Sequence, residues 1–485
     1  MSITNFQMTD GTSLLNLSMD NLIQVFFFME PMDIISTSQT CKLLYKCTSQ
    51  RIVWMNAIRR VTTKHGIFKP TFEPITERPL AELKHAATSP SRLRALCKAS
   101  PVLGSLPHLC TRTLDHSSST ASGTEFDRCY LTPGGRFLVT VGDSLMELWD
   151  LGTPNDIVNP KSVASVGSTV PFSLFCHSTP DGDGIVMIVG VFLEHKFPQF
   201  HYQYNVYEIY PLASVPKFLS IRSMTLEAPH PLERCTRENE LLAFNGDHFI
   251  IVWNYAIDTW IQWNSVADHD EIKVFNEHIL AIDSGVITVY EIPELRPRTT
   301  GESLPPSVII RPSNRMFLRS GMGHSSFMST TTKFKYGGNH LHLDILHEQS
   351  DDMNGDGCRI EHFVVQWVDT KMLPMAPKFI LVRSHESAAT EIDGDGSPLL
   401  DSFWVSDREM LGVWATGTGI IVQFFESPQS NTDTSTPLPP SILWSGDTGD
   451  ETFDAKFCPW SGRLCLIEPT NRSQIRVIDF LLPPP

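Results

Sequence analysis

Thr132-Pro133-Gly134-Gly135-Arg136-Phe137-Leu138-Val139-Thr140-Val141 leads, three residues on, into Leu145-Met146-Glu147-Leu148-Trp149-Asp150. The Pro-Gly-Gly-Arg corner is turn chemistry: proline presets one φ and glycine tolerates positive φ. The flanking runs are rich in β-branched and aromatic residues, so they predict strands joined by short turns. The second run ends in aliphatics followed by an aromatic and an acid, and this ending recurs. It returns at Asn205-Val206-Tyr207-Glu208, Ile251-Val252-Trp253-Asn254 and Ile287-Thr288-Val289-Tyr290-Glu291. Looser copies are Val364-Val365-Gln366-Trp367, Ile421-Val422-Gln423-Phe424-Phe425-Glu426 and Ile475-Arg476-Val477-Ile478-Asp479. Successive copies lie 58, 46, 37, 77, 58 and 53 residues apart. A strand recurring at irregular intervals near fifty predicts one four-stranded unit per repeat, with loops of differing length.

The turn also has a second copy, Phe457-Cys458-Pro459-Trp460-Ser461-Gly462-Arg463-Leu464-Cys465, ahead of the last signature. Both stretches resemble a WD-repeat blade. The resemblance implies that the turn joins two inner strands and that the aliphatic-aromatic strand packs between neighbouring blades. The Gly-His dipeptides of regular WD repeats do not recur blade by blade, a single one standing at Gly323-His324. The expectation for residues 111–485 is therefore a degenerate, WD-like β-propeller of seven blades, with a pair of β-sandwiches as the alternative. The widest spacing leaves residues 300–345 as an eighth unit or a loop insertion. The polar stretch 427–441, with four prolines, predicts an exposed loop.

The first sixty residues follow the helical period instead. Ser18 or Asp20 can cap a helix whose Leu22, Val25, Phe26 and Met29 form one stripe. Ile23, Phe27 and Phe28 lie off that stripe, so the helix is apolar nearly all round. Pro31 ends it, Asp33 suits the start of a second helix, and Cys41, Leu43, Leu44 and Tyr45 continue the apolar material. A last helix from Ser49 puts Trp54, Ala57, Ile58 and Val61 on one face and stops at Gly66. So short a bundle cannot bury this surplus alone. It packs on the next domain or presents a docking face.

These residues resemble the F-box, whose pattern runs Leu-Pro, an acid, two aliphatics, Ile-Phe, Leu, Pro, Asp-Leu, Val-Cys-Lys and Leu-Trp. The chain offers Leu17-Ser18, Asp20, Leu22, Val25-Phe26, Met29, Pro31, Asp33-Ile34, Thr40-Cys41-Lys42 and Val53-Trp54. Ser18 replaces the proline and Thr40 the aliphatic. The resemblance implies that Leu17, Leu22, Val25, Phe26, Met29, Pro31, Ile34 and Trp54 serve a Skp-type adaptor interface or its supporting core. The expected organisation is a disordered N-terminus (1–13), an all-α F-box (14–66), a linker with short helices (67–110) and the all-β propeller. In the linker, 67–78 reads as extended. Leu80, Leu83 and Ala87 predict one short helix, and Ser91 caps a second carrying Leu93, Leu96 and Cys97. Fungal F-box proteins place a similar helical pair there.

Charge narrows the function classes. Residues 1–110 hold 12 Lys/Arg and 7 Asp/Glu, whereas the remaining 375 hold 26 and 47, a net charge of −21. So acidic a domain is unsuited to nucleic acid or to an anionic membrane. No secretory leader or membrane span is legible, and the ten cysteines show no CxxC pair, so an intracellular, cytoplasmic or nuclear setting is expected. Three acidic glycine loops, at 181–184, 352–357 and 393–396, invite a calcium reading. The second has oxygen ligands at loop positions 1, 3 and 5, but Phe363 stands where the bidentate Glu belongs. Hairpin chemistry is the simpler account. His340, His342 and His347 lack accompanying ligands, and no catalytic motif occurs. No metal, cofactor or catalytic residue is expected. The implied function is the substrate-recognition subunit of an SCF-type cullin-RING ubiquitin ligase. The F-box would bind the adaptor, and through it a cullin, while the propeller holds a target protein. The alternatives are a scaffold acting without a cullin and a propeller enzyme regulated by the F-box.

Overall fold

The computed structural model describes residues 17–481 apart from 101–103, 116–124, 143, 153–159, 168–170, 197–198, 229–231, 233, 247, 266–268, 270, 276, 284, 300–304, 306, 319–324, 328–339, 350–356, 371–372, 388–398, 407–408, 417–418, 427–439, 447–453 and 468–470. The expected disordered residues 1–13, the exposed loop within 427–441 and the two later acidic loops lie outside these. Among the described residues five α-helices come first: α1 (Met19–Phe26), α2 (Pro31–Ser38), α3 (Lys42–Thr48), α4 (Arg51–His65) and α5 (Leu80–Ala99). Ser18 is the N-cap of α1, accepting from the Asn21 N–H at 3.3 Å. The serine that departs from the family pattern thus satisfies one of the orphan donors at the helix start. Pro31 opens α2 with Asp33 in its first turn, and Gly66 closes α4 at φ 59°.

All β structure follows, as seven antiparallel sheets among the described residues. Sheet 1 comprises Phe126–Leu131, Phe137–Gly142, Leu145–Asp150 and Lys161–Gly167. Sheet 2 comprises Pro171–Ser178, Ile185–Lys196, Gln199–Ile209 and Leu219–Ala228. Sheet 3 is Arg234–Glu238, Leu241–Gly246, Phe249–Asn254 and Thr259–Asn264, with two short added segments at its outer edge. Sheet 4 is Glu271–Phe275, His278–Asp283, Val286–Glu291 and Asn314–Phe317. Sheet 5 is Ser325–Phe327, His340–Gln349, Gly357–Thr370 and Leu373–Ser387. Sheet 6 is Leu399–Ser406, Glu409–Thr416, Gly419–Glu426 and Ser441–Ser445. Sheet 7 takes Ala455–Cys458, Arg463–Ile467 and Gln474–Asp479 from the end of the chain, and its fourth strand, Cys110–Asp115, from before sheet 1.

All seven signature stretches occupy the third strand of their sheet. The first strand of sheet 1 touches the first strands of sheets 2 and 7, and the first strand of sheet 4 touches those of sheets 3 and 5. Neighbouring sheets share apolar cores. Val139 and Leu148 meet Met187 and Val189 between sheets 1 and 2, while Leu138 and Trp149 meet Leu464 and Val477 between sheets 1 and 7. Sheets radiating from converging first strands, with the last touching the first, make a β-propeller. The region 300–345 adds no further sheet among the described residues. It supplies Ser307–Val308 to the edge of sheet 3, the fourth strand of sheet 4 and the first of sheet 5.

The two explicit turns carry the same clip. Arg136 Nε and Nη2 donate to the two Asp150 carboxylate oxygens at 3.0 and 2.9 Å; Arg463 does the same to Asp479 at 2.6 and 3.2 Å. Arg112, from the closing strand, adds a third donor to Asp479 at 2.9 Å. Arg463 also donates to the carbonyls of Gly135 and Gly152, so this fully buried pair fastens sheet 7 to sheet 1.

The joint differs from the expected linker in two ways. Residues 80–99 form one helix, not two, running through Pro90. Proline removes one N–H from the helical ladder. The turn before it is held by added bonds, the Ser89 and Thr88 hydroxyls donating to the carbonyls of His85 and Lys84 at 2.7 and 2.8 Å. Burial also holds the helix: Leu83 and Ala87 pack with α1–α4, and Leu93 and Cys97 pack with sheets 6 and 7. Nor is 67–78 free chain. Ile67, Phe68, Pro70, Thr71 and Ile75 are buried. Arg136 donates to the carbonyls of Pro70 and Glu73 at 3.0 and 2.8 Å, and Phe68 N donates to Pro133 at 2.9 Å. Gly134 takes φ 102°, and a Cβ there would lie 2.7 Å from Ile67 and Thr71, so the turn glycine is what allows this close approach.

Candidate docking surface

The helical module divides the eight sequence-derived site residues into two groups. Leu22, Phe26, Pro31, Ile34 and Trp54 are buried, four of them in one core with Leu44, Val53 and Ala57. Trp54 sits between layers: its Nε1 donates to Thr48 O at 2.7 Å and the Lys84 ammonium lies 5.7 Å from its ring centroid. Ile75, Leu83 and Ala87 complete this core from beyond residue 66, so the module extends into α5. Helices of 7–8 residues do not stand on propensity, and this shared core is what holds α1–α3. Leu17 and Met29 are half-buried against it, while Val25 is exposed.

The surface carries other apolar residues. Phe28 is 87% exposed and Tyr45 61%, with Phe27, Met32, Leu43 and Ile52 also exposed. Seven of the large apolar residues exposed among the described ones therefore lie between positions 25 and 52. Of these, Val25 was one of the eight sequence-derived residues, and Phe27 and Phe28 had a signal as residues off the buried stripe. Met32, Leu43, Tyr45 and Ile52 had none, because burial on short helices depends on which neighbours cover them. So dense an apolar surface is what a protein partner covers.

The edges of the module are anchored. Arg60 Nη2 donates to Met29 O at the end of α1, and Lys64 pairs with Glu30 at 3.1 Å. Arg51 Nη2 donates to Ile75 O and Thr76 O at 3.0 and 2.7 Å. On the propeller side, His65 stacks on Trp460 with centroids 4.2 Å apart, and burial, aided by Lys64, pushes its pKa down to about 3. Lys69 pairs with Asp183 at 2.7 Å, and Arg94 with the buried Glu409 of sheet 6 at 2.6 Å. The acidic loop 181–184 is a hairpin turn: Asp181 accepts from the Asp183 N–H at 2.9 Å and Asp183 is spent on Lys69. No grouping of His, Cys, Asp or Glu among the described residues could hold a metal ion.

Residues 14–56 match the family model for the F-box domain. No curated protein matches the chain in sequence. Among solved structures, Hsv2 of Kluyveromyces lactis is similar over 72% of this chain and 91% of its own, at 10% identity and a TM-score of 0.39. The WD40 domain of SCAP from fission yeast is similar over 73% and 82%, at 7% identity and a TM-score of 0.38. The fold rests on the sheets themselves, and the N-terminal module is an F-box.

Proposed function

We propose that this chain is the substrate-recognition subunit of an SCF-type ubiquitin ligase, with its F-box on a Skp-type adaptor and its propeller holding a target protein. The observation that carries the reading is the exposed apolar surface of residues 25–52 on a module of the F-box family, fastened through α5 and 67–78 to a β-propeller. In this reading Val25, Phe28, Met32, Leu43 and Tyr45 meet the adaptor, while Leu22, Phe26, Pro31, Ile34 and Trp54 hold the surface in shape. The chain makes and breaks no bond. It acts by holding target lysines near a charged ubiquitin carrier, which converts an encounter between two molecules into one within a complex. None of the described cysteines is disulfide-bonded, which supports work in a reducing compartment, cytoplasm or nucleus.

The test is co-purification of the full-length chain with the adaptor and a cullin, wild type against Phe28→Asp with Tyr45→Asp. The reading requires a ternary complex that the double variant loses while its melting temperature stays at the wild-type value. Adaptor binding without cullin recruitment favours the scaffold alternative. No adaptor binding by the folded wild-type chain rejects both.

A further inference from the structure

The most exposed side chain of the apolar surface, Phe28, stands on an elbow of four residues between the end of α1 at Phe26 and the start of α2 at Pro31. The elbow has few fastenings of its own. Phe27 caps α1 in a right-handed conformation, without the left-handed glycine that closes α4 at Gly66, and no basic residue lies in the last turn of α1. Glu30 caps α2 with no side-chain bond to it, and Pro31 has no N–H to give. The Phe28 N–H donates to Val25 O at 3.1 Å and the Met29 N–H to Phe26 O at 3.2 Å, which folds the elbow against α1. Neither bond uses the Met29 carbonyl.

Helix α4 takes up what the elbow leaves open. The Arg60 guanidinium donates to Met29 O, and Lys64, one turn on, pairs with Glu30 at 3.1 Å. The two bonds differ in weight. Lys64 and Glu30 are 40% and 63% exposed, where an ion pair adds little. Arg60 is half-buried with its Nε out of solvent, so its bond to Met29 O is charge-assisted and shielded from water. Burial draws the Arg60 pKa below its ordinary value, and the Glu30 carboxylate opposes that. The next residues round the helix, Val61 and His65, pack on sheet 7 and on Trp460 of its turn. One stripe of α4 thus grips the elbow while the neighbouring stripe grips the propeller. We infer that Arg60 is the positioning residue of the adaptor surface, holding residues 27–30, and with them the Phe28 ring, at a fixed place over the helical core and relative to the propeller. The inference rests on the reading that the surface of residues 25–52 docks an adaptor, and it names the residue that presets that surface for binding.

Surface plasmon resonance of the full-length chain with a purified Skp-type adaptor tests it, alongside amide exchange of residues 27–29 in the free chain. Arg60→Met keeps the stem and drops the donors. It should weaken adaptor binding about tenfold, chiefly through faster dissociation, and speed that exchange. Arg60→Lys keeps a donor and the charge and should recover part of both losses, while Lys64→Met should change affinity by less than about threefold. Each variant is measured well below its melting temperature. A residue that only stabilises the fold would lower that temperature and leave affinity and exchange at wild-type values, and this result would overturn the inference. Should Arg60→Met not fold, Arg60→Gln, neutral and shorter, carries the same requirement. A wild-type chain that binds no adaptor overturns the docking reading and this inference with it. Adaptor binding by the wild type that the Arg60 variants leave intact overturns this inference alone.

Discussion

Asp479→Ala probes the seam where the propeller closes. The carboxylate has no solvent exposure and accepts from Arg463 at 2.6 and 3.2 Å and from Arg112 at 2.9 Å. Burial works against the Arg463 charge and Asp479 more than offsets it, holding the guanidinium's pKa above its ordinary value. Removing the acid leaves Arg463 buried with only the Gly135 and Gly152 carbonyls, which costs about 3–5 kcal/mol, as for other broken buried pairs. Asp150→Ala removes the same clip one sheet on. There the acid's side chain is 28% exposed, water can re-solvate Arg136, and the cost is about 1–2 kcal/mol. Urea unfolding followed by tryptophan fluorescence measures both. Replacing the pair together, Arg463→Met with Asp479→Leu, should recover part of the loss, because the fully buried Arg463 charge is then gone while Arg112 keeps the Leu151 carbonyl at 2.9 Å. A loss at Asp479 no greater than at Asp150, or no recovery in the double variant, would refute the argument that burial makes the closing clip the stronger one.

Three further outcomes are expected. Phe26→Ala should lower stability by about 3–4 kcal/mol, and Phe28→Ala by less than about 0.5 kcal/mol while weakening the adaptor complex, so calorimetry and a pull-down separate core from surface. His65 is neutral in the folded chain, with a pKa near 3 against about 6.5 unfolded, so below pH 6.5 the unfolded state binds the extra proton and stability falls with pH. The His65 share of the loss between pH 7 and pH 5 is about 2 kcal/mol, and His65→Phe, which keeps a ring on Trp460, should remove that share from the pH slope. Ser18→Ala should cost about 1 kcal/mol locally, read as faster amide exchange in α1 with the propeller unchanged.

The parts of this chain that were legible in its sequence are those whose physics is local. Trp149, Trp253 and Tyr290 follow aliphatic runs just before the strand ends, and each falls in a third strand. Gly66 ends α4 because a left-handed cap needs glycine. What was not legible depends on distant partners. Val25 and Phe26 are adjacent and both apolar, yet one is exposed and the other buried, because Ile34 and Trp54 cover only one side of α1. Pro90 and Ser91 read as a helix boundary, while packing on two bodies at once carries α5 through it. The carbonyls of Pro70 and Glu73 are acceptors that any residue supplies, so nothing in 67–78 announced that Arg136 would hold them.

The closing strand also sets an order of events during synthesis. Cys110–Asp115 pairs with residues 474–479, made some 360 residues later. At ordinary translation speeds the strand waits roughly 20–70 s for its partner. Val61, Ile67 and Leu93 wait with it, because they pack with sheet 7, as does His65 for Trp460. A chain released early therefore keeps the apolar flank of its helical end uncovered and presents a raw strand edge beside it. Those are the marks that chaperones and proteases read, so an unfinished chain is open to removal before its propeller closes.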